Sequence, residues 1–313
     1  MKRCAVLLVL MVVSLPALAQ VDVEAVVTDL EGNRVRGLSA GDFRLLVDGA
    51  EVPVERFAEV AGGAVGRSYL VFVDDSLSIA VQRDLVLWEI ERDLDRLGPD
   101  DRMAIVAFDG ARLHPLADWT GNRETLAAAL AEARKRPAKE SLTRSTMWVA
   151  NTVAGTAAGA LRSVSPSPGR KVMLVLSGGW PSGPSLQLVR DANRLGYTLY
   201  PVDVPAFERE RAPHAAEDTL LALAEATGGQ AALNSNRLAA LERAEEDTRS
   251  YYLLGFSQAW KADDRDHRIE LEVRRPGLDV RARHGFPDVS PATLAGMETE
   301  DLLLSAESRE TAE

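Results

Sequence analysis

Cysteine is almost missing from this 313-residue chain: it occurs once, as Cys4. Cys4 precedes an apolar run rather than a cleavage site, so it cannot be the lipid-carrying residue of a mature lipoprotein, and no disulfide can form within one chain. The fold must therefore rest on its core, for which about 290 residues beyond a leader are ample. Histidine is nearly as scarce. His114, His214, His267 and His284 are scattered, with no His-Glu-x-x-His or other ligand spacing. Basic charge is in deficit: 36 Lys and Arg against 47 Asp and Glu give a net charge of -11, and loss of the two cations Lys2 and Arg3 takes it to -13. Such a surface repels nucleic acid and anionic lipid, and favours partners that are basic, neutral or metal-bridged.

Long apolar runs are absent except at the start. Lys2 and Arg3, the apolar stretch Ala5 to Val13 and the small residues Ala17-Leu18-Ala19 before Gln20 follow the order of a secretory signal peptide. The stretch is shorter than the roughly 20 residues a membrane-spanning helix needs. Residues 1–19 are thus expected to be removed on export, leaving a periplasmic or extracellular protein with no membrane span.

Residues 20–62 read as short strands. Val21, Val23 and Ala25 alternate with Asp22 and Glu24, and Phe43 to Val47 turns at Asp48-Gly49 into Val52-Pro53-Val54 as a hairpin. From Tyr69 the rhythm becomes strand and helix in alternation. Tyr69 to Val73 is a buried strand, Val86, Ile90, Leu94 and Leu97 fall at helical spacing, and Met103 to Phe108 is the next buried strand. Asp109-Gly110 turns into an antiparallel edge strand at Ala111 to Leu116. Helices at about 122–135, 145–162, 184–195, 215–226 and 236–249 alternate with strands at Lys171 to Leu176, at Tyr197 to Val204 and after Gly228-Gly229. Residues 67–249 are accordingly expected to form a six-stranded, mostly parallel, doubly wound (Rossmann-like) α/β sheet. Residues 250–286 return to strands, which are expected to pair with 20–62 into one small β-sandwich carrying the α/β domain as an insertion. Residues 287–313 read as an acidic, frayed or partly helical tail.

The chemistry concentrates where the first buried strand ends, in Val73-Asp74-Asp75-Ser76-Leu77-Ser78. One carboxylate and two hydroxyls at the carboxyl end of a strand suit a hard divalent cation; without a metal, Ser78 would cap the next helix and Asp74 would accept loop amides. Gly62 to Ser68 is too short for a phosphate loop and precedes a strand, so it reads as a linker. Ser177 sits in Leu-Ser-Gly-Gly rather than a nucleophile elbow. Trp180 in a glycine-rich loop could anchor a partner or fold over its own loop.

The sheet order, the antiparallel edge and the Asp-x-Ser-x-Ser loop resemble the von Willebrand factor type A (VWA) domain with its metal-ion-dependent adhesion site (MIDAS). The elements Val27-Thr28-Asp29, Asp42-Phe43, Asp48-Gly49, Thr227-Gly228-Gly229, Tyr251 to Phe256, His267-Arg268-Ile269 and Arg281 to Phe286 extend the likeness to the VWFA-related domain of secreted bacterial proteins first described as Acidobacterial. The resemblance implies Asp74, Ser76, Ser78 and Thr146 (or Thr143) around a Mg²⁺ or Mn²⁺ ion. It also implies an aspartate after the fourth strand, where this chain has Gly178 in Ser177-Gly178-Gly179, and the missing charge weakens any cation site. The expected function is a non-enzymatic adhesion or scaffold module that binds a protein through residues 74–78, 143–147 and 177–183, with Asp75, Thr143 and Trp180 in the contact surface and a degenerate MIDAS. A periplasmic hydrolase on the same loops, marked by a His or acid hydrogen-bonded to Ser76, Ser78 or Ser177, is the alternative; a structural envelope or secretion component is the third.

Overall fold

The computed structural model describes residues 18–61, 65–138, 146–163, 169–179, 183–205, 213–259 and 261–297, with backbone alone at 18, 19, 146–150 and 213–215. Its centre is a mixed five-stranded sheet. Strand β5 (Arg67–Asp74) lies between β6 (Arg102–Phe108) and β8 (Arg170–Ser177), with β9 (Tyr197–Asp203) beyond β8 and the antiparallel β7 (Leu113–Thr120) at the other edge. Strand β5 is buried along its whole length because helices cover both faces, which is why it reads as an unbroken apolar run. Tyr69, Val71 and Val73 face α1 (Ala80–Arg92), α2 (Arg123–Lys135) and α6 (Ala240–Arg249). Leu70 and Phe72 face α3 (Thr146–Ser163), α4 (Leu186–Leu195) and α5 (Pro213–Thr227).

The sixth strand expected after Gly228-Gly229 is a correction: only one parallel bridge, Val202 to Ala232, forms there. Gly229 is pressed so close to the Leu199 carbonyl that a Cβ would lie 1.9 Å from it, and a 3₁₀ turn begins at Asn234, leaving no length for a ladder. Likewise the edge strand starts at Leu113, because Asp109 spends its carboxylate on the Ala111 and Arg112 amides and holds the turn open.

Two further four-stranded sheets are built from both ends of the chain. One has β12 (Leu278–Ala282), β1 (Leu18–Asp29), β10 (Tyr251–Ala259) and β4 (Arg56–Val60); the other has β13 (Gly285–Pro287), β11 (Asp266–Val273), β2 (Phe43–Val47) and β3 (Ala50–Val52). Val23, Ala25, Phe43, Leu45, Tyr252, Leu254, Phe256, Ile269 and Phe286 from the two sheets meet in one apolar core. The β2–β3 turn places Asp48 at φ 50° and Gly49 at φ 80°, the left-handed pair that a two-residue hairpin of the Asn-Gly or Asp-Gly type demands.

Residues 287–290 are not part of a frayed tail. Pro287 ends β13 opposite Asp266, and the buried Asp288 accepts hydrogen bonds from the Lys261 and Ala262 amides, both at 2.8 Å. The Asp264 carboxylate accepts the Ser290 amide at 2.7 Å and opens a short helix over residues 291–297. No helix among the described residues is long and apolar enough to cross a membrane.

Candidate functional site: the carboxyl end of the central sheet

The strand order runs outward in both directions from β5 and β8, and the carboxyl ends of such a pair are where open α/β sheets place their ligands. Asp74 ends β5 and Ser177 ends β8. The structure brings them together: Ser177 Oγ donates to Asp74 Oδ2 at 2.7 Å. The other carboxylate oxygen closes the first loop on itself, accepting from the Ser76 amide (2.9 Å), Ser76 Oγ (2.6 Å) and the Leu77 amide (3.2 Å). This is the short-range side-chain to backbone turn that aspartate favours. The two loops are then stitched by Gly178 N–H donating to Leu77 O at 3.0 Å, and Gly179 N–H donates to Ser177 Oγ at 3.2 Å.

The cluster is sealed. Asp74 and Ser177 are 0% exposed, Ser76 3% and Ser78 5%. Gly110, in the turn after β6, crowds it from one side, where a Cβ would lie 3.1 Å from that of Ser76. Burial raises the Asp74 carboxyl above its ordinary value, partly offset by the hydrogen bonds from Ser76, Ser177 and Leu77. Ser78 does not cap α1: the N-cap is Ile79, without a side-chain bond, and Ser78 Oγ has no hydrogen-bond partner among the described residues.

Asp75 turns away from this cluster. Its oxygens pair with Arg83 Nη1 at 2.6 Å and Arg136 Nε at 2.8 Å, and Arg83, itself 0% exposed, also donates to Arg136 O at 2.9 Å. Asp75 therefore neither supplies the carboxylate missing at Gly178 nor offers a surface to a partner; expecting it in the contact surface is corrected by its burial between two arginines. Of the other candidates, Thr146 opens α3 but its side chain lies outside the described residues, as do Thr143 and Trp180 entirely.

The donor set does not fit a MIDAS-type divalent ion. Among the described residues it offers Asp74, both of whose oxygens are engaged by protein hydrogen bonds, while Asp75 is neutralised by two guanidiniums. Hard cations are held by several oxygen ligands and gain most from charged ones.

A feature unnoticed in the sequence lies directly beyond the loop. Val81, Leu85 and Trp88 stand 66%, 42% and 64% exposed on α1. Their i, i+4, i+7 spacing puts them on one face, opposite the core residues Val86, Leu87 and Ile90. The signal was legible as a second apolar stripe on a helix that already has a complete inner one.

The glycine triplet has a structural role: Thr227 Oγ1 accepts the Leu199 amide at 3.0 Å, while Gly228 at φ 78° lets β12 approach to 2.8 Å of its missing Cβ.

No protein-family model and no curated protein matches the chain. Among solved structures it is similar to an aerotolerance-related membrane protein from Bacteroides fragilis NCTC 9343, at 13% identity over 58% of this chain and 98% of that one, with a TM-score of 0.41. It is also similar to the SpRpn10 VWA domain (10% identity, 58% of this chain, 97% of that one, TM-score 0.36). A third similarity is to the vWF domain of the type V pili tip protein Mfa5 from Porphyromonas gingivalis (16% identity, 37% of this chain, 38% of that one, TM-score 0.27).

Proposed function

We propose that the chain is an exported, non-enzymatic protein-binding module: a VWA-like α/β domain at 67–249, inserted in a β-sandwich formed by 20–62 and 250–286, whose MIDAS is degenerate and works without a metal. The observation that carries this reading is the contrast along one short segment. The oxygen cluster of Asp74, Ser76 and Ser177 is closed beneath the surface, whereas Val81, Leu85 and Trp88 immediately after it are offered to solvent. Aromatic anchors beside aliphatic neighbours are typical of protein contact surfaces. A protein captured by the wild-type chain from an envelope fraction should bind a Leu85→Ala/Trp88→Ala variant at least tenfold more weakly, with the melting midpoint shifted by less than about 2 °C because both side chains are already in water. Unchanged affinity would place the contact elsewhere.

The metal clause has its own test. Calorimetric titration with Mg²⁺ should show no binding that depends on Asp74, whereas Gly178→Asp, at a position outside the left-handed backbone region, should gain a site that Asp74→Ala removes. Magnesium bound by the wild-type chain and lost in Asp74→Ala would contradict a degenerate site.

The hydrolase alternative has two observations in its favour, the hydrogen bonds of Asp74 with Ser76 and with Ser177. It lacks what a nucleophile needs, since Ser177 Oγ lies in a fully buried residue and donates to a carboxylate already shared with three other donors.

A further inference from the structure

A second cluster lies far along the chain from the first, where β11 leaves the loop before it. His267, 5% exposed, stacks on Phe286 with ring centroids 4.9 Å apart, so its ring plane is fixed. Its Nδ1 is 2.8 Å from Asp48 Oδ2, and Asp48 Oδ1 accepts the Arg268 amide at 2.9 Å. A carboxylate has no proton to give, so Nδ1 is the donor, and an imidazole whose one proton sits there carries a lone pair at Nε2. That lone pair has no hydrogen-bond partner among the described residues. It points instead into a pair of acids: Asp288 Oδ2 is 3.9 Å away, and one oxygen each of Asp263 and Asp288 lies with Nε2 in a group whose members are all within 4.8 Å of one another.

In that tautomer three acceptors face one another and repel unless a proton or a metal cation stands between them. We propose that Asp263, His267 Nε2 and Asp288 bind a divalent transition-metal ion of the zinc type. A carboxylate that orients an imidazole through Nδ1 while Nε2 faces the ion is the usual outer-shell arrangement of such sites, and Asp48 supplies it. The nitrogen donor selects against Mg²⁺ and Ca²⁺, and two carboxylates balance the charge. Ligands of tetrahedral zinc at about 2.0–2.1 Å stand roughly 3.3 Å apart, so the group closes by up to about 1.5 Å at its widest. Asp263, the exposed member, is free to make that move, whereas Asp288 is pinned by the Lys261 and Ala262 amides, each oxygen keeping a lone pair. The ion would clasp three separate stretches, the loop at 263, the start of β11 and the residue after β13, and so fasten the chain's last described segment to the β11–β2 sheet.

Untagged full-length chain titrated calorimetrically with Zn²⁺ should bind one ion per chain, at least tenfold more tightly than Mg²⁺, with a rise in melting midpoint. Asp263→Asn, which keeps the turn to the Arg265 amide and does not threaten folding, should weaken zinc at least tenfold and abolish the rise; Asp48→Asn should weaken it about 10–100-fold through the ring. The proposal is overturned by the absence of stoichiometric zinc binding, by binding that Asp263→Asn and His267→Gln leave intact, or by nitrogen chemical shifts showing that a second proton, not zinc, occupies Nε2.

Discussion

Replacing Asp247 with alanine should lower the unfolding free energy by about 3–5 kcal/mol and the melting midpoint by roughly 10 °C. Asp247, on α6, ties the central sheet to the sheet that holds β1 and β12. It accepts from Arg281 Nη2 (2.5 Å) and Nη1 (3.2 Å) on β12, from Arg34 after β1, and from the Tyr200 hydroxyl (2.5 Å) on β9. Its side chain is 2% exposed. Truncation therefore removes at once the carboxylate partner of two part-buried guanidiniums and of the buried Tyr200 hydroxyl. Burial pushes the Asp247 carboxyl up, but the Arg281 charge and hydrogen bond, the Arg34 charge and the Tyr200 hydrogen bond outweigh it and hold it at about 2, below its ordinary 3.8. A depressed carboxyl stabilises the fold above its unfolded value. That contribution, on the order of 2 kcal/mol, is lost as pH falls from about 4 toward 2, and the acid limb of the melting profile should flatten in Asp247→Asn.

Asp75→Ala should cost a similar 3–5 kcal/mol, for a different reason. Among the described residues Arg83 is the largest fully buried side chain, and Asp75 is its only buried counter-charge; Asp84, its other carboxylate, is 34% exposed. Removing Asp75 leaves Arg83 as a cation in the interior, whereas removing both leaves only the Arg136 guanidinium, which is 17% exposed, without its carboxylate. The double variant Asp75→Ala/Arg83→Met should therefore melt above Asp75→Ala, with a coupling of at least about 2 kcal/mol in the cycle. A surface acid waiting for a partner would behave otherwise, its truncation moving stability by less than about 0.5 kcal/mol.

Much of the fold was legible because period-two and continuous apolar runs are imposed by burial itself: β5, β6, β8 and β9 could not have been written otherwise. The pairing of the two flanks was legible for the same reason, since Val21, Val23 and Ala25 need a partner face and Tyr252, Leu254 and Phe256 supply it. Other features depended on distances that sequence does not carry. The missing sixth strand turned on how closely Gly229 meets Leu199, and the fate of Asp75 on where Arg83 and Arg136 arrive after 8 and 61 residues of chain. In the site, residue types were readable but not which acid faces which hydroxyl. The His267 cluster escaped altogether. Its members lie at 48, 263, 267 and 288, and a strand pairing rather than a motif spacing gathers them.

The ladder between β1 and β10 joins residues such as Val23 and Leu254, so on a ribosome β1 is made 231 residues before its partner. Through that interval it is an unpaired edge with alternating valines, open to mispairing with other chains. The interior α/β segment, whose helices and strands are near neighbours in sequence, has no such wait. Once folded, it draws Arg67 and Glu245 to 2.9 Å, shortening the loop that must close before the flanks can zip. The insertion thus sets a schedule in which the middle of the chain matures first and its two ends depend on it.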